Sequence, residues 1–300
     1  MVDNPDDRIE LMSIAPASNI AISSARPASL FTRLQRLWAR RETIWFLTTS
    51  QLRAGHRDKV LGQFWSILDP LMYLVVYYFV FSVLLKLGGD DRGHFLAYLF
   101  IGITNWRFFD SVIGQSATTI RGNRGLIHEI NFPKAIFPIA ICLARFYDLM
   151  LGIVAMLVVI VIAQYSGGGM RIPLSANLLW VPFLLLLQLV FIAGLAFFVA
   201  HLGAFYADTA NIVTIAIRLL FYISPIFYYV RGPHARITNP DLLKYYMLNP
   251  VAGFLEGHRD VLLEGRMPHY LPYLVFVSLL SFVVGFAIFS RGEKDFVKYV

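Results

Sequence analysis

Six long apolar runs, separated by short polar segments, dominate the pattern of this sequence. Each run is close to the roughly 20 residues that a helix needs to cross a bilayer. Backbone groups in lipid must pair internally, and the alternating segments of about ten residues that mark barrel strands do not occur. The pattern therefore predicts an all-α, polytopic membrane protein with six transmembrane helices. The six are Leu68–Leu87, Phe95–Gln115, Pro138–Ala163, Leu178–His201, Asn211–Val230 and Leu271–Phe289.

A basic and amphipathic segment, Leu30–Ser50, precedes the first run. Basic residues alternate there with Trp, Leu and Phe, which is typical of a helix lying flat on a membrane surface. Such a helix serves either as an anchor on anionic lipid or as a cuff that couples the chain to a cytoplasmic partner. The characteristic residues of this predicted interface helix are Arg33, Arg36, Trp38, Arg40 and Arg41.

The polar segment before the last run, residues 231–270, contains two shorter apolar stretches. Leu242–Leu248 and Val251–Leu263 are separated at Asn249-Pro250, and each is too short to span a bilayer. They predict an outer re-entrant or interfacial hairpin, or alternatively a surface cap that never enters the membrane.

The chain divides into four parts on this interpretation. Residues 1–29 form a disordered polar tail without the apolar core of a signal peptide. Residues 30–66 form the cytoplasmic interface-helix region, residues 67–290 the membrane domain, and residues 291–300 a cytoplasmic tail. With the N-terminus inside, the inner segments after the tail carry 13 Lys and Arg residues and the outer segments seven. This bias predicts that both termini are cytoplasmic.

Composition excludes several other kinds of protein. Hydrophobic residues make up 57% of the chain and charged residues 15%, so a soluble domain is excluded. Cytoplasmic positive bias accounts for the net charge of +7, and no nucleic-acid partner is expected. The single cysteine, the scattered histidines and the absence of a nucleotide-binding loop predict no metal, no bound cofactor and no catalytic residues. A pump of this kind needs a separate subunit to hydrolyse the nucleotide.

Three short motifs resemble those of the membrane subunits of ABC-2-type exporters. The first is Leu61-Gly-Gln-Phe-Trp-Ser-Ile-Leu-Asp-Pro70, at the start of the first span. The second is Asn131-Phe-Pro-Lys134, and the third is Leu248-Asn-Pro250. The branch that they resemble exports O-antigen, capsular polysaccharide or teichoic acid, and the resemblance extends from about Leu30 to Phe289.

The resemblance implies a location and a set of partners. It implies a homodimer in the bacterial cytoplasmic (inner) membrane, joined to two copies of a separate ATPase that binds ATP and Mg²⁺. It also implies a glycan cargo carried on undecaprenyl diphosphate, in contact with membrane lipids. Three rival functions stay open: an exporter of a small molecule or lipid, a membrane-embedded transferase acting on lipid-linked sugars, and a secondary transporter or channel.

The loop between the second and third spans, residues 116–137, corresponds to the segment that docks on the ATPase in this family. A short helix is expected in its centre. Alternatively, the loop is positively charged only to set the topology. The residues that the resemblance assigns to ATPase coupling are Arg121, Arg124, Leu126, Ile127, His128, Glu129 and Ile130.

Aromatic residues in the first and fifth spans form the candidate substrate path. Tyr73, Tyr77 and Phe81 recur every four residues along one helix face, and Phe221, Tyr222 and Tyr229 stand in the fifth span. Such rings either guide a glycan by stacking on its sugars, or serve in helix packing and an interfacial aromatic belt.

Charged residues near the inner membrane surface form two further groups. Arg145 and Asp148 lie i,i+3 in the third span, where they form either a structural ion pair or part of a watery cavity. A second group attracts either anionic lipid or the diphosphate head group of the cargo. Its members are Arg53, Arg57 and Lys59.

Overall fold

A computed structural model describes residues 30–56, 62–86, 92–129, 132–165, 175–232 and 235–299. The described residues contain helices and no strand. The predicted disordered tail, residues 1–29, lies outside them. The helices are α1 (Leu30–Ala39), α2 (Arg41–His56), α3 (Trp65–Tyr77), α4 (Arg92–Ser116), α5 (Thr119–Gly122), α6 (Arg124–Glu129), α7 (Ile136–Tyr165), α8 (Trp180–Phe205), α9 (Thr209–Ile223), α10 (Pro240–Tyr246), α11 (Pro250–Leu262), α12 (Leu271–Gly292) and α13 (Phe296–Tyr299).

Four helices in the described part of the chain are long and apolar enough to cross a membrane. They coincide with the first, third, fourth and sixth predicted spans. The first begins three residues earlier than predicted, because a short 3₁₀ turn at Gly62–Phe64 leads directly into α3, and it continues as π-helical turns to Leu84. The four are Trp65–Leu84, Ile136–Val159, Ala176–Phe205 and Leu271–Gly292.

Helix α4 occupies the second predicted span but is much less apolar than those four. It packs against α3, α7, α8, α9 and α11 and lies in the interior of the fold. Phe95, Leu99 and Val112 are fully buried there. Neighbouring helices shield most of α4. Arg107 is half-buried and pairs with Asp69 of α3, whereas Asp110 is exposed on the side of α4 that these helices leave open.

The fifth predicted span, Asn211–Val230, is wrong over its last seven residues. Helix α9 ends at Ile223, and Ser224 is extended, with φ −78° and ψ 147°. The residue before a proline is driven out of the helical region by the proline ring, so Pro225 ends the helix rather than bending it. With 15 residues, α9 is about 22 Å long, shorter than a typical hydrocarbon core.

The predicted break at Asn249-Pro250 is confirmed. Proline occupies the first turn of both α10 and α11, and Asn239 and Asn249 cap them through their side-chain oxygens. Every residue from Val251 to Leu262 is buried, including four ionisable ones. Helix α11 therefore packs inside the protein against α4, α8 and α12.

The predicted interface helix, Leu30–Ser50, is two helices that meet at Arg40 and continue to His56. Leu37 of α1 is buried, whereas Trp38 is 74% exposed. Helix α2 packs against α7. The basic, aromatic surface that the sequence predicts is therefore present, although it is divided between two helices.

The C-terminal segment, predicted as a tail, packs against the body of the protein. Phe296 of α13 is fully buried, and its ring contacts Phe289 and Phe205. The Glu293 carboxylate accepts a hydrogen bond from the backbone N–H of Lys134, next to the start of α7. An aromatic residue and a carboxylate, neither marked by periodicity, fasten this segment.

Close contact between α8 and α12 holds the centre of the bundle together. A Cβ added to Gly285 would lie 1.9 Å from the carbonyl oxygen of Gly194. Small residues allow such an approach. The close packing that results supplies the attraction that the hydrophobic effect does not provide between helices in lipid.

Candidate functional site

A half-open cavity of about 420 Å³ lies between α3, α4 and α9. Four of the six predicted path aromatics line it, two from α3 and two from α9. Its wall also contains charged and hydroxyl side chains from α4 and α9. The lining residues are Tyr73, Tyr77, Ile103, Trp106, Arg107, Asp110, Ser111, Thr214, Ile217, Arg218, Phe221 and Tyr222.

The aromatic rings of this cavity are in contact with one another. The ring centroids of Tyr73 and Tyr77 are 6.0 Å apart, and those of Tyr77 and Phe221 are 6.3 Å apart. Trp106 on α4 meets Phe221 at 5.3 Å. The i,i+4 spacing on α3 and the last turn of α9 thus bring the two groups onto one wall, while Tyr222 is 68% exposed at its edge.

Phe81, the fifth predicted path residue, lies next to this cavity. Its ring stacks on Phe227, with centroids 4.5 Å apart and planes 15° apart. Phe227 also contacts Tyr77 at 5.1 Å and Phe221 at 5.0 Å. Sequence reasoning missed Phe227 because it assigned residues 224–230 to a helix. The signal that would have placed Phe227 is Ser224-Pro225, which marks the start of a turn.

Tyr229, the sixth predicted path residue, lies outside the cavity. It follows the end of α9, and its ring packs against Tyr98 at 4.2 Å and Phe95 at 5.8 Å. Its hydroxyl is 3.1 Å from Nδ1 of His94. The structure therefore separates it from Phe221 and Tyr222, with which the sequence grouped it.

An ion pair separates the cavity from a smaller cleft. Arg107 Nη2 is 3.1 Å from Asp69 Oδ2, and the guanidinium lies 4.9 Å from the ring centroid of Tyr73. Sequence reasoning singled out Arg145 and Asp148 among the ionisable residues of the spans and missed Arg107, Asp110 and Asp69. An ionisable residue inside an apolar run is itself a signal of a polar interior, and it applies to all three.

The smaller cleft, of about 120 Å³, lies between α2, α3, α4 and α7. Arg145 and Asp148 line it, with Nη1 and Oδ2 2.6 Å apart, so the predicted i,i+3 pair is confirmed. The Ser66 hydroxyl donates to Asp148 at 3.0 Å. Both acidic groups of the cleft are thus paired with arginines, which leaves no net charge to attract an anion.

The predicted coupling segment contains the short helices α5 and α6. Arg121 donates from Nε to the carbonyl oxygen of Gly203 at 2.8 Å, at the end of α8, and Ile127 is buried. These two residues fasten the segment to the rest of the chain. Its exposed surface consists of Arg124, Leu126, His128 and Glu129. Ile130 lies outside the described residues.

The basic residues of the membrane-surface helices differ in exposure. Arg36, Arg40, Arg41 and Arg53 are exposed. In contrast, Arg33 reaches the end of α12, where Nη1 donates to the Ser290 carbonyl oxygen at 2.5 Å. Arg57 and Lys59, the other members of the predicted head-group cluster, lie outside the described residues.

Comparisons with known proteins bear on what this arrangement does. A family model described as ABC-2 type transporter matches residues 42–263. Two proteins of Klebsiella pneumoniae named O-antigen export system permease protein RfbA are 25% identical over 257 and 255 residues, which cover 84% of this chain and 92% of theirs. A protein of the same name from Myxococcus xanthus is 22% identical over 271 residues, covering 89% of this chain and 98% of its own. The matched regions include the aromatic cavity.

Proposed function

The chain belongs to the ABC-2 type transporter family, and on that premise we propose that it is the permease subunit of an ATP-driven exporter that moves a polysaccharide out of the cell. The observation that carries this proposal is the aromatic cavity between α3, α4 and α9. The relatives named O-antigen export permeases support the same class of cargo.

The cavity suits a sugar chain that passes without being read residue by residue. A tyrosine ring covers the apolar face of a sugar, while its phenolic hydroxyl exchanges hydrogen bonds with the sugar hydroxyls. Tyr73, Tyr77 and Tyr222 offer both kinds of contact on one wall, and Asp110 and Ser111 add polar groups from α4. Several weak contacts of this kind retain a polymer but let it slide.

A six-span arrangement follows if α4 and α9 join the four apolar helices. With 25 residues, α4 is about 37 Å long, which is sufficient to cross. Helix α9 is shorter, and the turn and buried α11 that follow complete the crossing on that side. The distribution of Lys and Arg supports cytoplasmic termini in the bacterial cytoplasmic membrane.

A second copy of the chain closes the open side of the cavity in this proposal. The outward faces of the first span and of α9 are apolar: Val76 and Phe79 are 53% and 54% exposed, and Ile215 and Leu219 are 58% and 60% exposed. Packing of these faces in a homodimer would place two aromatic walls opposite each other around one path.

The energy comes from two copies of a separate ATPase, which bind ATP and Mg²⁺, while this chain binds no cofactor. We place the docking site on the exposed residues of α6, because α5 and α6 are fastened to α8 and transmit a push to the bundle. The cargo enters on undecaprenyl diphosphate, with its head group drawn to the basic membrane surface near Arg53.

Removal of two rings from the cavity wall tests this function. Tyr73→Ala combined with Tyr77→Ala should lower polysaccharide export about tenfold, the effect of losing roughly 1.4 kcal/mol of binding. Export is measured as surface polysaccharide in cells that depend on this chain. Tyr245→Ala, which removes an exposed tyrosine of α10, is the matched control and should leave export unchanged.

Two results would contradict the proposal. One is full export from the double variant at equal chain abundance. The other is purification of the chain without any ATPase partner and without glycan-stimulated ATP hydrolysis, which would favour a passive transporter. Stimulation by a small molecule or a lipid but not by a glycan would move the function to the rival class of cargo.

A further inference from the structure

Arg259, in the last turn of α11, bonds to the backbone of the segment that follows α9. It is only 3% exposed. Its Nη1 donates to the carbonyl oxygen of Pro225 at 2.6 Å, and Nη2 donates to that of Ile226 at 3.2 Å. Both acceptors belong to residues 224–228, here called the post-α9 turn. Since α9 ends at Ile223, these carbonyls have no helical partners of their own.

Neighbouring groups compensate the charge of Arg259. Glu256, one turn earlier on α11, has Oε1 2.8 Å from Nη1. The guanidinium lies 3.3 Å from the ring centroid of Tyr98 on α4, and Nη2 donates to the Tyr98 carbonyl oxygen at 3.1 Å. The planar fork of arginine serves several acceptors and an aromatic face at once, which a lysine ammonium cannot do.

A glycine on α4 provides the space for this arrangement. A Cβ added to Gly102 would lie 2.7 Å from Arg259 Nη2 and 3.1 Å from the Ile226 carbonyl oxygen. Glycine weakens the interior of a helix, so its presence here fits a need for close approach. By contrast, a Cβ on Gly114, in the same helix, would meet nothing within 4 Å.

The post-α9 turn carries the ring that ends the aromatic wall. Phe227 is the next residue after Ile226, whose carbonyl Arg259 binds, and it stacks on Phe81 of the first span. Phe227 also contacts Tyr77 and Phe221, which line the cavity. A movement of the turn would therefore remove Phe227 from this layer of rings.

We propose that Arg259 is a positioning residue for the export path: it fixes the post-α9 turn so that Phe227 stays on Phe81 and in contact with the Tyr77 and Phe221 rings of the cavity wall. The arrangement links the buried helix α11 to the rings of the cavity wall. The assignment of a glycan to the path rests on the proposed function. The positional role of Arg259 does not, and the two are tested by separate measurements.

The positional role is tested by cross-linking in the full-length chain. Phe81→Cys and Phe227→Cys are introduced with Cys142→Ala, and a short bis-methanethiosulfonate reagent joins the two cysteines. Gly102→Ala should reduce the cross-linked yield several-fold, because the new methyl displaces Arg259 or the turn. Gly114→Ala should leave the yield unchanged. Alanine favours the helix at both positions, so lost helicity cannot explain a difference.

Arg259→Lys is the second variant, because it keeps a positive charge beside Glu256 but loses the fork. We expect the same fall in cross-linking from it, with the folded chain recovered as a single species in gel filtration. Yields equal to those of the Gly114→Ala chain in both variants would overturn the proposal.

Export separates a positioning role from a purely structural one. In chains with native Phe81 and Phe227, Gly102→Ala should lower the polysaccharide exported per ATP hydrolysed about tenfold, within the range of coupling effects of single substitutions. Unchanged export together with reduced cross-linking would overturn the role in the path. If no variant of the chain, including the wild type, exports polysaccharide, the proposed function fails while the cross-linking result stands.

Discussion

Glu293 lies at the place where the end of α12 meets α7 and α1. Its carboxylate accepts the backbone N–H of Lys134 and so joins the end of α12 to the start of α7, while Arg33 of α1 bonds to the neighbouring Ser290 carbonyl. Burial raises the pKa of the Glu293 carboxyl, although the Lys134 N–H and the charges of Lys134 and Arg33 act in the opposite direction. Burial outweighs these contacts, so ionisation of this carboxyl is less favourable in the folded protein than in water.

We expect Glu293→Gln to be more stable than the wild type near neutral pH, and Glu293→Ala to be less stable. Glutamine keeps an acceptor for the Lys134 N–H without a charge to desolvate, whereas alanine removes a helix-capping contact worth about 1 kcal/mol. A raised pKa stabilises the folded protein below the unfolded value, and this contribution is lost as the pH rises through the folded value.

The gain from Glu293→Gln should therefore shrink as the pH falls toward the usual carboxyl value of 4.5. Thermal unfolding in mild detergent at neutral and mildly acidic pH measures both effects. A Gln variant less stable than the wild type at neutral pH would show that the carboxylate is favoured in its charged form.

Sequence reasoning at this scale found pairs close along the chain and missed those that the fold brings together. Arg145 and Asp148 were predictable because one helical turn separates them. Arg107 and Asp69 belong to different spans. The role of the Glu256–Arg259 pair depends on the carbonyl oxygens of Pro225 and Ile226, which lack helical partners only because α9 ends early. No periodicity marks such partners, although glycines and prolines inside apolar runs indicate where backbones approach or end.

At the scale of elements, the segment formed by α5 and α6 contains two kinds of residue: some hold the segment against the protein, and others face outward. Ile127 is buried and Arg121 bonds to the end of α8, while Leu126 and His128 are exposed. A docking helix needs both kinds. The resemblance that predicted ATPase contacts supplied one list of residues, and only the structure separates the two kinds.

We expect Leu126→Ala combined with His128→Ala to weaken binding of the ATPase about thirtyfold, because both side chains face outward on α6 and each contact is worth roughly 1 kcal/mol. The ratio of ATPase to permease in a pull-down measures this loss, and thermal stability of the permease alone should not change. Ile127→Ala is the opposite control, since it leaves a buried cavity and should lower the stability of the chain itself. Normal binding by the double variant would remove α6 from the docking surface.

The limits of the helices show what patterns in a sequence decide and what they leave open. The break at Asn249-Pro250 was predicted because proline and an asparagine cap act locally. The end of α9 had the same kind of local signal at Ser224-Pro225, but the apolar run continues to Val230 and suggested a longer helix. The run is apolar there because residues 224–230 are buried against α4 and α11, so hydropathy reports burial in protein as readily as burial in lipid.

The packing of the C-terminal segment depends on still longer range. Residues 291–299 have the composition of a charged tail, and of its Phe296, Val297 and Tyr299 only Phe296 is buried. Its burial depends on the rings of Phe289 and Phe205, which two different helices bring together. The sequence thus predicted the apolar helices of the bundle well but could not predict how its ends are fastened.

The whole molecule has two ends, and the proposed topology places them on opposite sides of the membrane. Trp38 and Tyr299 stand exposed at the end formed by α1 and α13, and Tyr245 stands exposed on α10. We expect Trp38→Cys and Tyr299→Cys, in intact cells, to resist a membrane-impermeant maleimide that labels Tyr245→Cys. Cys142 is buried, so the wild-type chain should give little background, and each variant should label after detergent permeabilisation. Labelling of Trp38→Cys from outside would show that the orientation is the reverse of the proposed one. Labelling of all three variants would show that the C-terminal end and α10 lie on one side of the membrane, which six spans with cytoplasmic termini do not allow.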